Sequence, residues 1–185
     1  WPLGLYLHAS GGSGEGIQAF EGPEQALPAL VACPTWPQSY HPLSTAGLAL
    51  ARASLETLCA TYRVDADRIA VCGNSVGGTA AFNFGLWWPD RFSAIGPAYS
   101  SPSLHSHLDA FANLHALPVV LPPREKPDTA TSPLQQEGLA QDRLALFLKR
   151  MQEERVRLER TVDGDAVTRF RRLAELRREG RVRCE

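Results

Sequence analysis

The sequence contains no run of about 18 apolar residues that would span a bilayer, and no charged stretch leading into a short apolar segment as in a signal peptide. A membrane-inserted chain is thereby excluded as an expectation. It also lacks an excess of charge of either sign. Nineteen Lys and Arg against 20 Asp and Glu leave a net charge of −1, so the basic stripe of a dedicated nucleic-acid binder is missing. Cysteine is scarce: Cys33, Cys59, Cys72 and Cys184 lie far apart without a CxxC pair, and there are only 5 histidines. Neither a zinc framework nor a disulfide scaffold fits that pattern. No internal repeat or low-complexity tract is present, and the first residue is Trp1 rather than Met. What remains is 185 residues, 44% hydrophobic, the profile of a single globular domain over 1–185.

Charge is unevenly spread along that domain. The first 123 residues carry 12 charged side chains and 13 of the 15 aromatics, whereas the last 62 carry 27 charged side chains. The core-forming body is therefore 1–123, and 124–185 reads as a charged, largely helical part. Within the body, short apolar runs bounded by Gly, Pro, Asp or Ser alternate with stretches of helical spacing, the pattern of βα units on a parallel sheet. Strands are expected near 3–8, 29–33, 68–72, 93–98 and 117–121, and helices near 17–27, 45–62 and 76–87. For 155–162, strand and helix both remain open, because no Gly or Pro breaks the chain between Leu139 and Thr161.

The most informative stretch is RIAVCGNSVGGTAAFNFG at 68–85. A β-rich run ends at Cys72, GNSVG follows at 73–77, and helix formers come next, so G-x-S-x-G stands between a strand and a helix. Such a turn presents the Ser75 hydroxyl at the carboxyl edge of the sheet, with the next helix's N-terminal amides aimed at developing negative charge. The competing reading is a Gly-rich βα turn in which Ser75 caps the helix. A second element, LYLHASGGSGEG at 5–16, is a strand running into a glycine-rich loop. It has neither the Lys-Ser/Thr of a P-loop nor the spacing G-x-G-x-x-G, so nucleotide binding is the weaker reading.

PLGLYLHASGGSGE at 2–15 resembles the PLVLFLHGAGGSGE-like opening of the α/β-hydrolase superfamily, in particular its prolyl-oligopeptidase-like and polyhydroxybutyrate-depolymerase-like serine esterases. YRVDADRIAVCGNSVGG with WPDRFSAIGPAYS is similar to the Y-x-VDPDRIY-x-TG-x-SMGG and YPDRFAAIAP segments of the same group. The resemblance spans 2–121 with loop, serine turn, PDRF turn at 89–92 and next strand in family order. It implies a three-layer α/β fold with a mostly parallel sheet, and a serine hydrolase acting on small-molecule carboxylic esters without a cofactor. Ser75 would be the nucleophile, and the amides of Val76 and the Ser10 region the oxyanion donors. It also places residue 1 at the family's third strand, so the expected sheet is shortened at the N-terminus, leaving 29–33 at an edge. Cys33 and Cys72 would then lie two strand spacings apart, roughly 9 to 10 Å and too far for a disulfide.

The sequence departs from the family after residue 121. The strand LPVVL leads into PPREKPD rather than HG-x-x-D, leaving Asp128 as the candidate acid. In the fold's chain order the triad histidine follows the acid, yet every histidine here precedes Asp128. His105 and His107, just beyond the strand ending near Ala98, are the candidate bases, against the plainer reading of loop histidines. A serine hydroxyl needs such a base to lose its proton. The alternative to an esterase is therefore a catalytically silent hydrolase-like domain with a binding or structural role. Two secondary expectations concern side chains. The Arg-rich segment 169–183, interleaved with Glu175, Glu179 and Glu185, reads as a solvated helix face. Trp36, Trp87 and Trp88 are candidates for an acyl pocket, against a core role. Oligomeric state is not encoded legibly.

Overall fold

The computed structural model describes residues 1–20, 27, 29–37, 43–102, 108–122, 146, 149–153, 156–161 and 166–178. Asp128, His105, His107 and Cys184 lie outside the described residues. Six strands form one sheet: β1 (Leu3–Leu7), β2 (Leu30–Ala32), β3 (Ile69–Asn74), β4 (Ala94–Ala98), β5 (Val119–Leu121) and β6 (Leu158–Arg160). They run in the order β2-β1-β3-β4-β5-β6 with every pairing parallel. All five expected strands form, β2 lies at an edge, and the undecided stretch at 155–162 supplies β6, which pairs Val119 with Leu158 and Leu121 with Arg160. Pairing with β5 decides what periodicity alone left open.

Buried on both faces, the central strands are apolar without a break, as a parallel sheet with helices on each side requires. Leu3, Leu5, Leu7, Ile69 and Val71 point to one face, where they meet α1 (Thr45–Thr61) and α2 (Val76–Trp87). Helix α1 starts where the Ser44 hydroxyl accepts the Gly47 amide at 3.1 Å and buries Leu48, Ala51 and Leu55. Helix α2 is apolar almost all round, in keeping with its burial from Gly77 to Leu86.

Tyr6, Ala70, Cys72, Ala94 and Val120 point to the other face, against Phe170, Leu173 and Leu176 of the C-terminal segment. These come from α3 (Ala166–Glu175) and the residues after it. Gly4 leaves the space that the Phe170 ring fills, and Phe20 meets that ring edge-on at 5.5 Å. Phe20 belongs to a 3-10 segment, Gly14–Phe20, which holds the start of the α-helix expected over 17–27, while 21–26 lie outside the described residues. Gly14 and Gly16 disfavour a regular helix, and the Gly16 amide reaches back only to Ser13, the tighter three-residue spacing.

Helix α3 and the residues to Arg178 thus form a layer on this face, held at its margins by ion pairs. Arg177 and Arg178 reach Asp65 and Asp67 at 3.4 to 3.8 Å. Glu159 on β6 accepts from Arg172 at 2.6 Å and pairs with Arg157 at 2.8 Å. No helix among the described residues is long and apolar enough to cross a membrane.

The Arg172 hydrogen bond, aided by the positive charge of Arg172 and Arg157, holds the Glu159 carboxyl below the ordinary glutamate range. A carboxyl depressed in the folded state contributes stability that is present above its unfolded value, about 4.3. That contribution is lost as pH falls through the folded value. Glu159→Gln is expected to cost about 1 kcal/mol or less near neutrality, since the pair is partly exposed, and to flatten the acid limb of a urea-denaturation stability profile. An acid limb identical to wild type would show that the pair adds nothing.

Candidate active site

Strand β3 ends at Asn74 and α2 begins at Val76, leaving Ser75 alone to turn the chain. It does so at φ 54° and ψ −122°. Positive φ is uncommon for a residue with a Cβ and costs about 1 to 3 kcal/mol, a strain that persists only where surrounding contacts enforce it. Three contacts do so here. The Ser75 amide donates to the Ala98 carbonyl of β4 at 2.9 Å, and the Ser75 carbonyl accepts from Thr79 at 3.0 Å. Gly73 and Gly77 close the turn so tightly that a Cβ on Gly73 would lie 2.5 Å from the Gly77 carbonyl oxygen.

Ser75 makes no side-chain bond to cap α2, so the helix-cap reading does not describe it. Its side chain is half-buried, and no described residue hydrogen-bonds to its hydroxyl. The amides of Val76, Gly77 and Gly78 come before the first helical bond, from Thr79, and so have no acceptor within α2. N–H groups without an acceptor in α2 and the positive end of a helix thus flank a hydroxyl that has no partner among the described residues.

β1 brings a second backbone segment to the same edge, because Leu7 pairs with Gly73 in parallel register. Gly77 packs against the backbone here: an added Cβ would fall onto the Leu7 carbonyl and 2.6 Å from that of His8. Beyond β1 the chain turns at Ala9–Gly12, where the Gly12 amide donates to Ala9 at 3.0 Å and Gly11 has φ 74°. Ser10 lies exposed within this turn. His8 is buried, its Nδ1 2.8 Å from the Ala9 carbonyl and its ring edge-on to Trp36 at 4.6 Å.

The opposite face holds a feature that the sequence does not announce. Asn74 alternates with Cys72 and Ala70 toward α3, and its Oδ1 accepts from Arg169 Nη2 at 2.7 Å. Arg169 is 0% exposed, so this member of the Arg-rich segment is not on a solvated face. Its partner lies 95 residues away in sequence, beyond any local spacing rule. Burial pushes the nearby thiols up, Cys72 to about 12 and Cys33 to about 11, so both are neutral, inert core groups near pH 7. Cys33, Cys59 and Cys72 are free.

Trp87 and Trp88 do not line the edge where Ser75 sits, whereas Trp36 packs behind His8, which follows β1 at that edge. Trp36 is buried, donating to the Gly47 carbonyl at 2.9 Å. Trp87 and Trp88 stand at the far end of α2, where Trp88 lies between Phe84, at 4.9 Å, and the Arg52 guanidinium, at 5.6 Å.

A parallel sheet between helical layers, with a strained serine between a central strand and a helix, defines the α/β-hydrolase class of fold. Solved structures with this architecture are similar to the chain at low sequence identity. A thermostable esterase has TM-score 0.67 and 16% identity over 94% of this chain and 52% of its own. The S-formylglutathione hydrolase of Staphylococcus aureus has TM-score 0.61 and 14% identity over 92% and 79%. The poly(3-hydroxybutyrate) depolymerase of Bordetella parapertussis has TM-score 0.56 and 14% identity over 90% and 74%. The chain therefore spans about half the length of the thermostable esterase. No protein-family model and no curated protein matches the sequence.

Because Gly77 touches the β1 carbonyls, Gly77→Ala is expected to force α2 away from β1 and cost about 1 to 3 kcal/mol in denaturant unfolding. Unchanged stability would contradict the close approach.

Proposed function

We propose that the chain is a serine hydrolase that acts on carboxylic esters by acyl transfer, of the prolyl-oligopeptidase-like or polyhydroxybutyrate-depolymerase-like kind. The observation that carries this reading is Ser75 itself. A hydroxyl with no described hydrogen-bond partner sits on a strained turn, beside unpaired helix amides, at the carboxyl edge of a parallel sheet. Strain of this kind is retained where function needs it. The hydrolase and esterase names of the similar structures support the same chemistry.

In the proposed reaction the Ser75 oxygen attacks the ester carbonyl while its proton passes to a base. Negative charge then develops on the carbonyl oxygen, where the amides of Val76 and Ser10 donate to it. The base returns the proton to the departing alcohol, and water repeats the sequence on the acyl-enzyme to release the acid. His105 or His107 is proposed as the base and Asp128 as the acid. In chain order they follow β4 and β5, which is where the sequence offers its candidates. The resemblance to cofactor-independent esterases supports a reaction without a cofactor.

The test is the hydrolysis of p-nitrophenyl acetate together with labelling by a fluorophosphonate probe. Ser75→Ala is expected to abolish labelling and to lower kcat by about 10³-fold or more. One of His105→Ala and His107→Ala is expected to lower kcat by at least about 10²-fold. A folded wild-type chain that neither labels nor hydrolyses the ester would contradict the esterase reading.

A further inference from the structure

Arg169 is a fully buried guanidinium in the first turns of α3. A guanidinium stays protonated in proteins, and charges buried this deeply are ordinarily paired with a carboxylate. Here the one hydrogen bond is to the neutral amide oxygen of Asn74, while Nε and Nη1 are buried without any partner. Among the described residues no carboxylate lies within ion-pair distance of it. The titratable groups that feel its charge on the sheet are Tyr6 and Cys72. Burial raises both, so near pH 7 neither supplies an anion. Among the described residues the positive charge thus has no anionic partner, and Asn74, the residue it holds, is bonded directly to Ser75.

We propose that Arg169 is a positioning residue for Ser75: it clamps the Asn74 side chain from the face opposite α2 and sets its buried positive charge behind the Ser75 turn, where acyl transfer develops negative charge. This inference rests on the reading of Ser75 as the nucleophile. It gives a reason for a cation at a place where packing alone would favour an apolar residue, since exchanging buried charge for apolar groups of similar size is often neutral or stabilising. Preorganised charge of this kind acts strongly where water is excluded. It also explains why the x position of G-x-S-x-G is an amide here. A carboxylate would neutralise the guanidinium, and an apolar side chain would leave all of its N–H groups unpaired.

The experiment compares the rate at which a fluorophosphonate probe labels Ser75 with the thermal midpoint Tm, in wild type, Arg169→Met and Arg169→Lys. Arg169→Met is expected to melt no lower than wild type yet to label about tenfold or more slowly, while Arg169→Lys, which keeps the charge, recovers to within about threefold of wild type. A merely structural arginine would move the other way, with a lower Tm and an unchanged labelling rate in the folded fraction. Should Arg169→Met fail to fold, Asn74→Asp neutralises the cation in place and is expected to label equally slowly at an undiminished Tm. Labelling at the wild-type rate in either folded variant overturns the inference while leaving Ser75 as the nucleophile. A folded wild-type chain that does not label removes both.

Discussion

The hydrogen bond from the Ser75 amide to the Ala98 carbonyl, 2.9 Å long, joins the residue just after β3 to the last residue of β4 at the point where the chain turns into a helix. Its partner across the turn is the packing of Gly77 against the carbonyls of Leu7 and His8 on the neighbouring strand. Together these contacts hold a residue with a Cβ at φ 54°, a conformation it would not adopt alone. Strand β3 must lie between β1 and β4 in parallel register for both contacts to exist, and the β1-β3-β4 order supplies that arrangement. The placing of the half-buried Ser75 hydroxyl, the first α2 amides and the turn after β1 then follows from the sheet rather than from any local preference of the serine. Tyr99, the next residue after Ala98, also has positive φ, at 50°. Strain among the described residues is thus concentrated at this one edge.

The central sheet and the serine turn were legible in the sequence because their signals are local. Apolar runs punctuated by Gly, Pro and Asp mark β1, β3 and β4 to within a residue or two, and G-x-S-x-G between a strand and a helix is meaningful only in that context. Less local features were not legible. Strand β6 has no distinctive periodicity and takes its form from pairing with β5. The first residues of the helix expected over 17–27 take a 3-10 form in Gly14–Phe20, where Phe20 packs against Tyr6 and Phe170. Trp87 and Trp88 are near Ser75 in sequence, yet the length of α2 carries them to its opposite end.

The C-terminal part shows why composition misleads at single positions. Its high charge describes the surface of α3 correctly, with Arg172 paired to Glu159 and Glu175 and Arg177 and Arg178 tied to Asp65 and Asp67. One arginine of the same segment nevertheless points inward to Asn74. Only a contact between residues 95 apart separates it from its solvated neighbours. That contact links α3 to the serine turn. The sheet, α2 and α3 thereby meet around the turn formed by Asn74 and Ser75.

The most direct measurement is a crystal structure of the chain after reaction with a fluorophosphonate, which leaves a tetrahedral phosphonyl group in place of the ester carbonyl. The account predicts phosphorus bonded to Ser75 Oγ and one phosphonyl oxygen about 3 Å from the amides of Val76 and Ser10. An adduct on another residue would contradict it. So would a Ser75 adduct whose oxygens turn away from the start of α2.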